Sequence, residues 1–369
     1  MFVGGPNRIY CREFGTATHE RTGLRRAAFD PQGKFVSLQV RVVGRTDVGL
    51  VRPGNEDCLH LDEKNHVYAV CDGMGGHQAG EVASMMASDV IHQAFSQFSS
   101  ELLGYPALNL DRTLPPSGDL LLRAIRLANR AVFNKASSSP TLTGMGTTIV
   151  AVAFEADVMS IAHVGDSRVY RLTERALEPL TRDHSWVAEI QVSHNMSEEE
   201  ATSFVGKNVI TRALGVRATV EADFRIIKVK PGDQFILCSD GLCGYADDDE
   251  IFDVAARFRN DLTGLVDALI QMANDRGGSD NVTVIALQVG EVKESPLPEV
   301  EVFTLQEESQ EAAAAEDRWL ARLSEAVPER RPAPGKSASK SGRSKLILLL
   351  IFFVFAIAAA MIIWYLPQR

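Results

Sequence analysis

The chain has 369 residues, 45% hydrophobic and 23% charged, a balance that excludes a wholly disordered, collagenous or multi-span membrane protein and fits one large domain with appendages. Its 48 acidic and 38 basic residues give a net charge of −10, which repels a phosphate backbone and argues against nucleic acid as a partner. The five cysteines, Cys11, Cys58, Cys71, Cys238 and Cys243, are odd in number and too scattered for a disulfide framework or a CxxC metal clip, so a reducing compartment is expected.

Residues 1–35 read as an arm without clear periodicity, and no apolar run there suggests a secretory signal. Residues 36–290 read as one domain. Its β-type runs are Ser37–Val43, Val67–Cys71, Thr147–Phe154, Val158–Val164, Arg168–Leu172, Phe224–Val229, Asp233–Cys238 and Val282–Val289. Helical spacing appears over Glu81–Phe98, Asp119–Lys135, Ser197–Ser203 and Leu262–Arg276. Strands that follow strands, with helices gathered in blocks, point to antiparallel sheets covered by helices.

Residues 291–345 are acidic first and basic later, with much Ala, Pro and Ser, a composition expected to form a flexible linker in which Ser309–Ala326 can form a short helix. Residues 346–366 carry no charge, and a helix of that length spans roughly 30 Å, which predicts a single transmembrane helix. Arg330, Arg331, Lys336, Lys340, Arg343 and Lys345 precede it and only Arg369 follows, so the domain is expected on the cytoplasmic side of the inner membrane.

Acidic residues recur where a strand-like run meets a turn. Asp72 opens Asp72-Gly73-Met74-Gly75-Gly76-His77, Asp240 precedes Gly241, Asp166 follows Gly165, Asp280 precedes the last strand, and Glu56-Asp57 follows Pro53-Gly54-Asn55. Each pair alone reads as a β-turn. Together they read equally as oxygen ligands for hard divalent cations, two of which can clamp a phosphoryl displacement. Spacing alone leaves both readings open.

Six segments in order, Arg52–Asp57, Asp72–Glu81, Gly144–Thr148, Val164–Arg168, Ser239–Leu242 and Ser279–Thr283, resemble the motifs of the type 2C metal-dependent Ser/Thr protein phosphatases, most closely the bacterial branch. The resemblance implies an α+β fold, a central antiparallel β-sandwich flanked by helices in four α-β-β-α layers. It implies two catalytic Mn²⁺ or Mg²⁺ ions, with Asp72 bridging them, the Gly73 carbonyl binding one, and Asp240 and Asp280 completing the other. Asp166 with Asp240 matches the place of a third, weaker ion. Glu56 and Asp57 would act through waters, and Arg52 would hold the substrate phosphate. The eukaryotic branch carries a His two residues after the bridging Asp; here that residue is Met74, and the nearest imidazole, His77, becomes the candidate proton donor. A flap over residues 186–208 follows Leu180-Thr181-Arg182-Asp183-His184-Ser185, with His184 structural and Trp186 packed.

The implied partners are phosphorylated Ser/Thr proteins, including Ser/Thr kinases and their substrates, reached from the membrane. Two alternatives accompany this reading: a catalytically silent phosphoprotein-binding module of the same fold, and a phosphatase of anti-sigma-type transcriptional regulators.

Overall fold

The computed structural model describes residues 38–76, 78–97, 99, 102, 114–194, 209–297, 299–305 and 317–321. One sheet has the order β1 (Val40–Asp47), β11 (Val282–Val289), β10 (Gln234–Cys238), β7 (Arg168–Leu172), β8 (Leu177–Pro179). The other runs β12 (Val300–Thr304), β9 (Asp223–Lys228), β6 (Val158–Val164), β5 (Ile149–Glu155), β3 (Val67–Met74), β2 (Asp57–Asp62), with the short β4 (Gly146–Thr147) paired to β3. Every strand pairing is antiparallel.

Side chains of a strand alternate between its two faces, and in β5, β10 and β11 both faces are buried. Tyr68 and Val70 of β3, Val150 and Val152 of β5, Phe235 and Leu237 of β10, and Ile285 and Leu287 of β11 meet in one core between the sheets. Their neighbours Val67, Ala69 and Cys71, with Ile149, Ala151 and Ala153, face α1 (Gln78–Ser96) and α2 (Pro116–Ser138). On the far side Ile236, Cys238, Val282, Val284 and Ala286 pack with residues of α4 (Asp240–Cys243), α5 (Asp248–Arg257) and α6 (Leu262–Asp275). Between β8 and β9 lies α3 (Trp186–His194). The result is the expected mixed α+β sandwich with helices on both outer faces. Small residues let α2 come close: a Cβ on its Gly118 would lie 2.6 Å from Ser160 Oγ on β6. Asp247 and Glu250 form a reciprocal capping box at the start of α5.

The folded region extends past the expected end at residue 290. β12 pairs with β9, Trp319 is buried, and Arg130 of α2 grips Asp317 with two bonds of 2.8 and 2.7 Å. The expectation of a flexible linker over 291–345 is therefore corrected at the strand 300–304, while the helical residues 317–321 fall where the sequence allows a short helix; Phe303 and Trp319 supply apolar anchors that average composition conceals. The arm at 1–35, the helix at 197–203 and the apolar stretch at 346–366 lie outside the described residues. Among the described residues, no helix is long and apolar enough to cross a membrane.

Candidate active site

Strand ends converge at one end of the sandwich. Asp57 opens β2 and stands directly opposite Asp72 of β3. Asp166 follows β6, Asp240 follows β10 at the start of α4, and Asp280 precedes β11. The loop before β2 is fastened by Asn281, whose Nδ2 donates to the Val48 and Gly54 carbonyls at 2.9 and 3.0 Å while its Oδ1 accepts from the Glu56 N–H at 2.8 Å. Glycine is required beside the carboxylates because backbones nearly touch there. A Cβ on Gly73 would strike the Gly80 carbonyl, and one on Gly241 would strike the Asn281 carbonyl.

The carboxylates sense one another. Burial, followed by Asp57 and Asp240, holds the Asp72 carboxyl well above the usual range. Burial pushes Asp57 up to about 7 against the hydroxyl bonds from Thr283 and Ser239, with Asp240 and Asp280 adding to the push. Asp166 also rises to about 7 through burial, then Asp240 and Asp183. Asp240 is raised chiefly by burial, with Asp280 contributing. Asp57 Oδ1, Asp166 Oδ1 and Asp240 Oδ1 are buried without a hydrogen-bond partner. Buried carboxylates in such company bind protons or coordinate cations. The donor set, oxygens only, fits a hard divalent ion.

Arg52 sits at the rim with its side chain 48% exposed, and its Nη2 donates to Asp280 Oδ2 at 2.7 Å. Glu56 supplies its backbone carbonyl to the Gly73 N–H (3.1 Å) and to Ser84 Oγ (2.6 Å), while its carboxylate lies against Gly80. The structure thus brings together Arg52, Asp57, Asp72, Gly73, Asp166, Asp240 and Asp280, with Glu56 beside them; His77 lies outside the described residues.

Several supporting groups carry no signal of their own in the sequence reading. Ser239 Oγ and Thr283 Oγ1 both donate to Asp57 Oδ2, at 2.8 and 2.6 Å. Thr148 Oγ1 accepts from the Asp72 N–H at 3.1 Å. Arg168 forms a two-pronged pair with Asp183 at 2.8 Å on each arm. All of these except Asp183 lie inside the six motif segments, so adjacency to a carboxylate was the available cue. A cavity of about 250 Å³ opens beside Asp166 and Asp240, lined also by Arg168, Asp183, Gln191 and Asp248. Trp186, expected to pack, is 48% exposed at the start of α3. His184 is buried and structural as expected: its Nδ1 accepts from the Gly165 N–H, and its ring stacks on His163 at 4.5 Å.

Fold, carboxylates and motif order define a metal-dependent phosphatase, and the protein phosphatase 2C family model matches residues 54–282. The chain belongs to that family, which makes it an enzyme of the metal-dependent protein serine/threonine phosphatase class. Among its relatives, the serine/threonine phosphatase stp of Listeria welshimeri is 36% identical over 247 residues, 66% of this chain and 94% of that protein. PstP of Mycobacterium tuberculosis is 34% identical over 257 residues, 69% of this chain and 46% of that protein. The crystal structure of a PstP catalytic domain in complex with two manganese ions superposes with a TM-score of 0.59 at 30% identity, covering 69% of this chain and 100% of that one.

Proposed function

We propose that the chain is a membrane-anchored phosphatase that hydrolyses phosphoserine and phosphothreonine in proteins, using two Mn²⁺ or Mg²⁺ ions held by Asp72, the Gly73 carbonyl, Asp240 and Asp280, with a weaker third ion between Asp166 and Asp240. The observation that carries this reading is the set of buried carboxylates from separate strand ends, three of them with an oxygen that has no partner. Ions bound there supply an activated water and offset the charge of the phosphate ester. The two manganese ions in the related PstP structure support the same assignment.

The protein's own groups perform the rest. Ser239 and Thr283 fix one oxygen of Asp57, which leaves Oδ1 to orient water, with Glu56 at its side. Arg52 exchanges Asp280 for the substrate phosphate, which its planar fork suits. His77 donates a proton to the departing serine or threonine oxygen, which leaves as the hydroxyl; this role rests on the sequence. Residues 346–366 anchor the cytoplasmic domain, which raises its effective concentration against phosphorylated membrane neighbours such as Ser/Thr kinases and their substrates.

The test is metal-dependent release of phosphate from a phosphothreonine peptide by the full chain and by Asp240→Asn. Loss of hydrolysis in the variant supports the reading; hydrolysis that persists in it, or phosphopeptide binding by the parent without turnover, overturns it. Alkaline carbonate washing of membranes checks the anchor, since a chain ending at Lys345 is expected to be released.

A further inference from the structure

Among the described residues, two other groups bring three metal-ligating atoms within 4.8 Å of one another: His163, His184 and Asp223, and His60, Asp62 and His92. The first is already satisfied. The Gly165 N–H donates to His184 Nδ1 at 3.2 Å, which leaves the ring proton on Nε2, and that nitrogen faces Asp223 Oδ2 at 3.3 Å. His163 Nε2 bonds the Arg182 carbonyl at 2.8 Å, and Arg212 reaches Asp223 Oδ1 at 3.2 Å. No lone pair on His184 is open to a cation, and a guanidinium already supplies the positive charge.

The second group differs at His60 and Asp62. His60 and Asp62 are alternate residues of the edge strand β2, so both point toward α1, where the His92 ring lies 5.6 Å from that of His60. His60 is 6% exposed, and its Nε2 is buried with no hydrogen-bond partner. Asp62 is 9% exposed and accepts the Asn65 backbone N–H (3.0 Å) and side-chain amide (2.7 Å), one bond on each oxygen, which leaves lone pairs on both. Burial, then His92, drives His60 down to about 4, so at neutral pH its ring is in the uncharged state that ligates metals. An apolar side chain would fill position 60 without leaving a polar atom unpaired, and the imidazole calls for a partner that hydrogen bonds do not supply.

We propose that His60, Asp62 and His92 bind one borderline divalent ion of the Zn²⁺ type, clasping edge strand β2 to α1. Two imidazoles and a carboxylate match the preference of such ions, and three protein ligands leave a fourth, tetrahedral position for water. The site takes a different class of metal from the all-oxygen cluster and is distinct from it. Because β2 begins at Asp57, the clasp steadies the strand that presents that carboxylate.

The experiment is equilibrium dialysis of the full chain against Zn²⁺ in a large excess of Mg²⁺, with metal content read by mass spectrometry and thermal unfolding followed in parallel. The parent protein and Asp240→Asn are expected to retain one Zn²⁺ and to melt higher with it. His92→Leu and Asp62→Asn, both checked for native circular dichroism, are expected to bind it more than about tenfold more weakly, beyond the least effect of losing an outer-shell partner, and to show no zinc-dependent rise in melting temperature. Zinc absent from the parent, affinity unchanged in His92→Leu, or zinc lost in Asp240→Asn would each overturn the proposal.

Discussion

Asp57 and Asp72 stand directly across from each other in the β2–β3 ladder, two carboxylates on one face of adjacent strands. Like charges in that position destabilise a sheet, so the pair holds protons or a cation, and the two compete. This gives a signed prediction for the metal-free protein. In the unfolded chain an Asp titrates near 4, whereas folded Asp57 and Asp166 titrate at about 7. Between those values the folded state binds more protons, so their contribution to stability is full at low pH and is lost as pH rises through about 7. His60 and His163, both lowered to about 4, act in the opposite sense, but their effect fades as pH rises through about 6.5, where the unfolded histidines titrate. From pH 6.5 to 8.5 the melting temperature in chelator is therefore expected to fall, and saturating Mn²⁺ to abolish the fall. Calorimetry at several pH values checks this; a flat or rising curve in chelator would remove the carboxylates as the proton store.

Ser239 and Thr283 favour the ionised form of Asp57. Each donates to Oδ2, and both bonds lower a proton affinity that burial raises. Replacing either hydroxyl, as Ser239→Ala or Thr283→Val, raises that affinity and moves the acidic limb of the rate profile to higher pH. A hydrogen bond to a charged group contributes about 1.5–3 kcal/mol, so kcat/KM at pH 6.5 should drop about tenfold while the alkaline plateau changes much less. An unshifted acidic limb would show that Asp57 does not govern it.

Gly241 tests why the Asp-Gly pairs contain glycine. Its Cα faces the Asn281 carbonyl so closely that a Cβ has no room, whereas a Cβ on Gly54 meets nothing within 4 Å. Gly241→Ala forces α4 away from the segment preceding β11, which shifts Asp240 relative to Asp280. A loss of about 1–3 kcal/mol is expected from urea unfolding, together with weaker Mn²⁺ activation. Gly54→Ala should leave both within error.

The sandwich was legible wherever both faces of a strand are apolar, as in β5, β6 and β11. It was not legible in β2, Asp-Cys-Leu-His-Leu-Asp, where polar residues occupy the face toward α1 as well as the strand ends. The converging carboxylates were found through glycine-flanked acidic residues, a local signal. Their supports were not, because the Ser239–Asp57 bond joins residues 182 positions apart and nothing near Ser239 in the chain announces its partner. β4, a two-residue strand, overlaps the longer run expected from Thr147 only at Thr147, and Thr148, in neither strand, divides it from β5.

Trp319 carries the last prediction. It is 3% exposed and belongs to the core that α1 and α2 form against the second sheet, although its surroundings in the sequence read as linker with room for a short helix and give no sign of docking. Its neighbour Asp317 is 43% exposed, so the pair with Arg130 adds little by itself, and the indole dominates the docking. Trp319→Ala should therefore cost about 3–5 kcal/mol, while Asp317→Asn costs about 1 kcal/mol or less. A chain ending at Gly290 loses more, because β12 goes with it and Phe303 leaves its place 5.4 Å from the Phe224 ring. Trp319 and Phe303 belong to the core that α1 and α2 share, so kcat below the melting transition should stay unchanged as the urea midpoint falls. Equal midpoints for Trp319→Ala and the parent would mean that the segment is only laid on the surface and that the domain ends where strand pairing ends, at Thr304.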